Sequence, residues 1–352
     1  MTRRIAKLKA ILKKKKLGAF LITDPVNVYY ISGFKTDVSS LLITGEENFI
    51  ITDFRYKQDA EDIDCFTVRL VKAGFKNTLK KILEEREIKQ LGFEAGNLSY
   101  STANLLKAFL KKSGIGFEPL SGTVEYIRLY KDEAEIEEIK NAAAIAKKVV
   151  ANLRKEVKPG ITERRLAALL ENLIRDNGGD GNAFETIIAS GRNSSRPHAY
   201  TTDKVLTKDE HVLVDFGVRV NSYNCDLTRI FFLGRIQKIL KDIYSICKEA
   251  QARAVKKVKP GAKIKDIDRS ARGYIASKGF GKYFGHSLGH GVGLAIHELP
   301  RIFPKTNQAL KPNMVFTVEP GIYLDETGGM RIEDMVLVTE KGCEILTDDI
   351  PK

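Results

Sequence analysis

Cysteine is scarce in this chain: Cys65, Cys225, Cys247 and Cys343 are the only four, and no two form a C-x-x-C pair. That spacing argues against a disulfide framework and against a thiolate zinc site, and leaves mainly small core residues. Long hydrophobic runs are missing as well. No apolar stretch approaches the ~20 residues needed to span a bilayer. The basic start contains only residues 17–22 as an apolar run, shorter than a secretory leader's core, and no small-residue cleavage site follows it. A cytoplasmic protein with no membrane partner is expected. The first third also lacks a phosphate loop: no G-x-G-x-x-G or Walker pattern follows a strand, so a nucleotide role has no support there.

What is present is ample. A length of 352 residues suggests two domains, or one large domain with an appendage. With 43% hydrophobic and 29% charged residues, the mix is that of a soluble globular protein. The net charge is +13, and much of it lies at the start, where Arg3, Arg4, Lys7, Lys9 and Lys13 to Lys16 precede the first acid, Asp24. Such a run could contact nucleic acid. Ile5, Leu8, Ile11 and Leu12 recur among these charges at helical spacing, which favours an amphipathic helix docked on its own domain. Beyond it, residues 19–23 read as a buried strand with a turn at Asp24-Pro25, and residues 40–44 and 48–52 flank a hairpin at Gly45-Glu46-Glu47. Strands are expected at 65–71, 90–93 and 115–120, with helices over 77–87 and 99–112, the latter capped by Ser99. This alternation predicts an α/β layer structure.

The pattern changes near Arg128-Leu129-Tyr130-Lys131. A long helix begins at Asp132 with acids in its first turns and an apolar stripe of Ile139, Ala143, Ala146, Val150 and Leu153. It stops at Val157-Lys158-Pro159-Gly160, and a second helix covers about 162–177. The same order recurs 101 residues on: a long helix stops at Val258-Lys259-Pro260-Gly261 and a second covers about 264–278. Each half then supplies an apolar strand containing an acid, Asp215 or Glu319, followed by another, with Asp226 or Glu333. This is a duplicated α+β unit, and a pseudo-two-fold axis would bring the four acids together. Four carboxylates among apolar neighbours repel, and cations are their natural compensation. Two divalent ions would match their charge.

One stretch stands out, Gly289-His290-Gly291-Val292-Gly293, followed by His297-Glu298-Leu299-Pro300. Glycine at that density suits a turn that presents His290 without steric screening. An oxygen-rich set with one imidazole favours Mn, Co, Fe or Zn, while the absence of an EF-hand loop disfavours calcium.

Val214-Asp215-Phe216-Gly217, Cys225-Asp226-Leu227-Thr228-Arg229, Gly289-His290-Gly291-Val292-Gly293, Val318-Glu319-Pro320-Gly321 and Arg331-Ile332-Glu333-Asp334 together resemble the pita-bread metallopeptidases, and within them the Xaa-Pro dipeptidases (prolidases) and aminopeptidases P. The resemblance implies a smaller creatinase-like N-terminal α/β domain over residues 1–121 and a pita-bread catalytic domain over 122–352. It implies that Asp215 binds one ion, that Asp226 and Glu333 bridge both, and that His290 and Glu319 complete the second site. His198, in Ser195-Arg196-Pro197-His198, and His297 match positions that contact substrate. The implied reaction is hydrolysis of the peptide bond before proline through a metal-bridging hydroxide, in a homodimer. Glu319 would shuttle the proton, His198 or His297 would donate to the oxyanion, and Arg301 and Arg331 could hold a substrate carboxylate. His211 and His286 read mainly as structural, with His286 expected nearer the site. A methionine aminopeptidase would use the same five ligands but ordinarily lacks such a first third. Creatinase shares the fold without needing the metals. A non-catalytic pita-bread module binding protein or nucleic acid would suit the +13 charge, yet such modules lose ligands that are all present here.

Overall fold

Short apolar strands alternating with amphipathic helices build the first of two units, Met1–Arg128, in a computed structural model that describes residues 2–352. Its elements are α1 (Thr2–Lys15), β1 (Ala19–Ile22), α2 (Pro25–Ser32), β2 (Ser40–Thr44), β3 (Asn48–Thr52), α3 (Lys57–Glu61), β4 (Thr67–Leu70), α4 (Phe75–Glu85), β5 (Gln90–Glu94), α5 (Tyr100–Lys111), β6 (Gly116–Leu120) and α6 (Glu125–Arg128). The six strands form one mixed sheet in the order β4-β3-β2-β1-β5-β6. Strands β1, β2 and β3 pair antiparallel, and β4, β5 and β6 join them in parallel. The α1 stripe docks as its spacing requires, with Ile5, Leu8 and Leu12 buried. Ser99 caps α5 by accepting from Thr102 N. Asp24-Pro25 departs from the expected turn. Asp24 accepts from Val26 N and Asn27 N, and Pro25, whose fixed φ suits a first helical turn, opens α2.

The second unit, Leu129–Lys352, contains the duplication. Its first half runs α7 (Glu133–Leu153), α8 (Glu163–Asp176), β7 (Gly181–Asn182), β8 (Ile187–Ser190), β9 (His211–Phe216), β10 (Val218–Val220), β11 (Tyr223–Asn224) and β12 (Leu227–Phe232). Its second half runs α9 (Lys238–Val255), α10 (Ile264–Ser277), β13 (Gly289–Gly291), β14 (Glu298–Ile302), β15 (Val315–Val318), β16 (Gly321–Leu324), β17 (Gly328–Arg331), β18 (Asp334–Val338) and β19 (Cys343–Ile345). A capping box between Asp132 and Glu135 starts α7, and its whole apolar stripe is buried.

The two halves carry the same clasp after each helix stop. Gly160 N donates to Leu206 O and Gly261 N to Leu310 O, both at 2.9 Å. Glu163 N donates to Lys204 O and Ile264 N to Gln308 O, both at 3.0 Å. Both glycines sit at positive φ, +95° and +82°, so a side chain there would strain the turn. Strands then assemble as β12-β9-β8 and as β14-β13-β15-β18-β19, with β16 and β17 a separate hairpin. Every residue of β9, β15, β17 and β18 is buried, so acids on or beside these strands are held away from bulk water.

Candidate metal centre

The four acids come from the edges of two hairpins. Asp215 lies near the end of β9, opposite Thr228 of β12, and Asp226 immediately precedes β12. Glu319 immediately follows β15, and Glu333 lies between β17 and β18. A pair of hydrogen bonds joins the halves: Thr228 Oγ1 donates to Glu333 Oε2 at 2.7 Å, and Glu333 N to Thr228 O at 3.4 Å.

His290 is the middle residue of β13, which pairs with β14 and β15. The flanking glycines therefore do not make the turn expected from their density. They permit close approach of neighbouring strands. A Cβ on Gly289 would lie 1.9 Å from Thr317 O, and one on Gly291 2.1 Å from Leu299 O. His290 Nδ1 faces Gly291 O at 3.2 Å, which turns Nε2 towards Asp226 Oδ2 at 3.5 Å and Glu319 Oε1 at 3.4 Å. Asp226, His290 and Glu333 each offer one ligand atom, all within 4.8 Å of one another.

The electrostatics are those of a cation site. Asp215, Asp226 and Glu333 are 8%, 4% and 2% exposed. Burial, then the charges of Asp215 and Glu319, holds the Asp226 carboxyl well above the usual carboxylate range. Burial, then Asp226 and Glu319, does the same to Glu333. Glu319 is pushed up to about 8, chiefly by burial. His290 is pushed down to about 4 by burial and then by His297, so its imidazole stays neutral with a lone pair to offer. Among the described residues, Asp215 Oδ1 is buried without a hydrogen-bond partner. An orphaned carboxylate oxygen beside mutually repelling acids and a neutral imidazole fits divalent cations.

Around the acids are groups with fixed jobs. Thr317 Oγ1 accepts from His290 N and donates to Glu319 Oε1, both at 3.1 Å. Arg331 is 3% exposed and donates to Thr228 Oγ1, Pro197 O, Tyr323 OH and Asp215 Oδ2. Its fork is thus committed inside the protein, where a substrate carboxylate would have to displace Asp215. Tyr323 OH also meets His286 Nε2 at 3.2 Å. His297 is exposed, with its ring centroid 4.2 Å from that of His290. Although the residue reaches solvent, partial burial of its ring and then the charge of His198 lower its basicity, while Asp215 raises it. His198 is exposed on the segment after a 3₁₀ turn. Arg301, also exposed, donates from Nε to Ser287 Oγ at 3.1 Å. Glu298 meets Lys131 at 2.7 Å in a buried pair. His211 is buried against Ser194 Oγ at 2.7 Å, the structural place expected of it.

Fold and site together define a metallopeptidase built on a duplicated pita-bread domain. The chain belongs to metallopeptidase family M24, whose model matches residues 137–340, and a creatinase/prolidase N-terminal domain matches residues 4–130. It is 39% identical over 350 residues to the Xaa-Pro dipeptidase of Pyrococcus furiosus, spanning 99% of this chain and 98% of that one. Its structure is similar to the Xaa-Pro dipeptidase of Bacillus anthracis, with a TM-score of 0.95, 36% identity and coverage of 100% and 98% of the two chains. It is also similar to the X-Pro aminopeptidase of Thermotoga maritima, with a TM-score of 0.87, 39% identity and coverage of 94% and 96%.

Thr228, Thr317 and Tyr323 were not foreseen from the sequence. For two of them the pattern was available. Asp226 and Thr228, Thr317 and Glu319, and Arg331 and Glu333 are each two apart, and strand alternation puts such pairs on one face. Nothing in the sequence marks Tyr323.

Proposed function

We propose that the chain hydrolyses the peptide bond preceding proline in Xaa-Pro dipeptides, using two divalent ions held by Asp215, Asp226, His290, Glu319 and Glu333. The observation that carries this reading is the convergence of Asp226, His290 and Glu333 within 4.8 Å, from both halves of the duplication. Asp215 would serve one ion, Asp226 and Glu333 both, and His290 and Glu319 the other. The ligand set suits Mn, Co, Fe or Zn. When bound, such a pair of ions polarises a carbonyl and lowers the pKa of water towards neutrality.

A bond before proline suits this arrangement, because the proline amide has no N–H for a main-chain-reading protease to hold. The protein's own residues then do four things. Glu319 carries the proton from the attacking water towards the proline nitrogen at Oε1, the oxygen that Thr317 Oγ1 steadies. His198 or His297 donates to the developing oxyanion from the exposed side. Arg301 holds the free carboxylate that a dipeptide has next to proline and a longer peptide lacks. Arg331 does not hold substrate but orients Asp215 through Oδ2, leaving Oδ1 for an ion. A homodimer acting on small peptides belongs to the same reading.

Likeness to an X-Pro aminopeptidase supports a second reading, removal of the residue before proline from longer peptides. One experiment separates them. A Xaa-Pro dipeptide and a Xaa-Pro-Yaa tripeptide are supplied to metal-stripped protein, followed by Mn, Co or Zn. Cleavage of the dipeptide alone supports the proposal, and tripeptide cleavage supports the aminopeptidase. No turnover with any metal removes both and favours a binding module, whose affinity for nucleic acid would fall with salt.

A further inference from the structure

Helix α9 packs an otherwise apolar face, including Leu240, Ile243, Cys247, Ala250 and Ala254, into the second unit. One polar residue interrupts that face: Gln251 is 1% exposed. A buried primary amide is costly unless its donors and acceptor are matched. Here all are. Gln251 Nε2 donates to Val318 O at 3.1 Å and to Ile332 O at 3.4 Å. Its Oε1 accepts from Lys352 Nζ at 2.8 Å. An ammonium can only donate, so Lys352 dictates which end of the amide faces the two carbonyls. Lys352 is itself fixed by Asp334 Oδ2 at 2.6 Å, and Asp334 Oδ1 by Arg229 at 2.7 Å and Thr347 Oγ1 at 2.8 Å.

The two carbonyls are not arbitrary. Val318 and Ile332 immediately precede Glu319 and Glu333. Each peptide plane is also held at its other end. Glu319 N donates to Leu288 O at 2.8 Å and Glu333 N to Thr228 O at 3.4 Å. Gln251 therefore fixes the backbone entering both glutamates from one side chain. It bridges these two carbonyls in the short gap between the Val318–Asp334 pair of β15 and β18 and the Gly321–Arg331 pair of β16 and β17.

We infer that Gln251 is a positioning residue for the metal centre, a single amide that sets the spacing of Glu319 and Glu333, with Lys352 fixing its orientation. This rests on the proposed metal-binding role of those glutamates. It touches neither ion nor substrate and acts through the two peptide planes.

The test is calorimetric titration of metal-stripped protein with Mn(II), together with the visible absorption spectrum of the Co(II)-loaded protein. Gln251→Met keeps the volume and removes both donors. Its affinity should fall at least about tenfold, the loss typical when a partner that orients a ligand is removed. The Co(II) ligand-field bands should shift, while the metal-free protein stays folded at the titration temperature. A merely structural role would lower the melting temperature and leave the Co(II) spectrum unchanged. Wild-type affinity with a wild-type spectrum overturns the inference. Should Gln251→Met fail to fold, Lys352→Met decides. It leaves the helix face intact, and weaker binding with a shifted spectrum supports the clamp, whereas wild-type values overturn it. Failure of wild-type protein to take up any metal is a different result. It removes the metal reading itself, and the clamp with it.

Discussion

Gly289→Ala tests whether the glycines beside His290 exist for close strand packing. A single methyl group is added, and the structure specifies what it meets. The new Cβ would lie 1.9 Å from Thr317 O, 2.7 Å from Thr317 C and 2.9 Å from Thr317 Oγ1. Carbon-oxygen contacts ordinarily begin at about 3.3 Å, so β13 and β15 must separate by roughly 1 Å or more. Backbone cannot swing away as a side chain can. Overpacking of this kind costs about 1–3 kcal/mol. At ~2–4 °C per kcal/mol for a unit of this size, melting should fall by about 2–12 °C. The functional effect should be larger in proportion. Thr317 Oγ1 holds both His290 N and Glu319 Oε1, so its displacement reaches two of the five proposed ligands. A misplacement of ~1 Å can cost roughly 100-fold in rate. Gly285→Ala is the control, since a Cβ there has nothing within 4 Å. The assays are calorimetric melting and Xaa-Pro turnover at saturating Mn(II). Gly289→Ala with wild-type melting and turnover would refute the packing argument, as would a Gly285→Ala as damaged as Gly289→Ala.

Three further expectations are independent of that one. Glu319→Gln should abolish turnover while the protein still melts cooperatively, and a rate near wild type would remove its role as proton carrier. Arg301→Ala should raise KM for a dipeptide with little effect on melting, because Arg301 is exposed; an unchanged KM would dismiss the carboxylate clamp. Glu94, in the first unit, is pushed up to about 7, chiefly by burial, although Thr23 N, Asp24 N and Asn27 Nδ2 all donate to it. Its folded pKa lies above its unfolded one, so the folded state holds the extra proton. The stability this contributes is complete below about 4.5 and lost as pH rises through about 7. Glu94→Gln is neutral throughout, so its melting deficit relative to wild type should shrink between pH ~5 and ~8, and a deficit that grows with pH would contradict the assignment.

Much of the architecture was legible because it rests on local chemistry. The V-K-P-G stops announced the duplication, and each proved to carry the same backbone clasp. The α1 and α7 stripes marked their buried faces by spacing alone. Asp24-Pro25 was harder, since the same dipeptide serves a turn or a helix start, and the choice depends on whether Val26 N and Asn27 N go on to be capped. The glycines around His290 suggested a turn rather than close packing, because the strand they pack against lies some 25 residues away in sequence. Arg331 looked like a substrate fork because arginine beside an acid suits either use. Only the fold shows its N–H groups spent on Thr228, Pro197, Tyr323 and Asp215. Gln251 was invisible in sequence, since a lone amide on a helix face declares nothing until the carbonyls it meets are known.

The most direct measurement is the number of divalent ions bound per chain at equilibrium, by metal analysis after dialysis against Mn(II), for wild type and for Glu333→Ala. Two ions per chain are expected in the wild type and fewer than one in the variant, because Glu333 is assigned to both sites. No bound ion in the wild type, or two retained without Glu333, would contradict it.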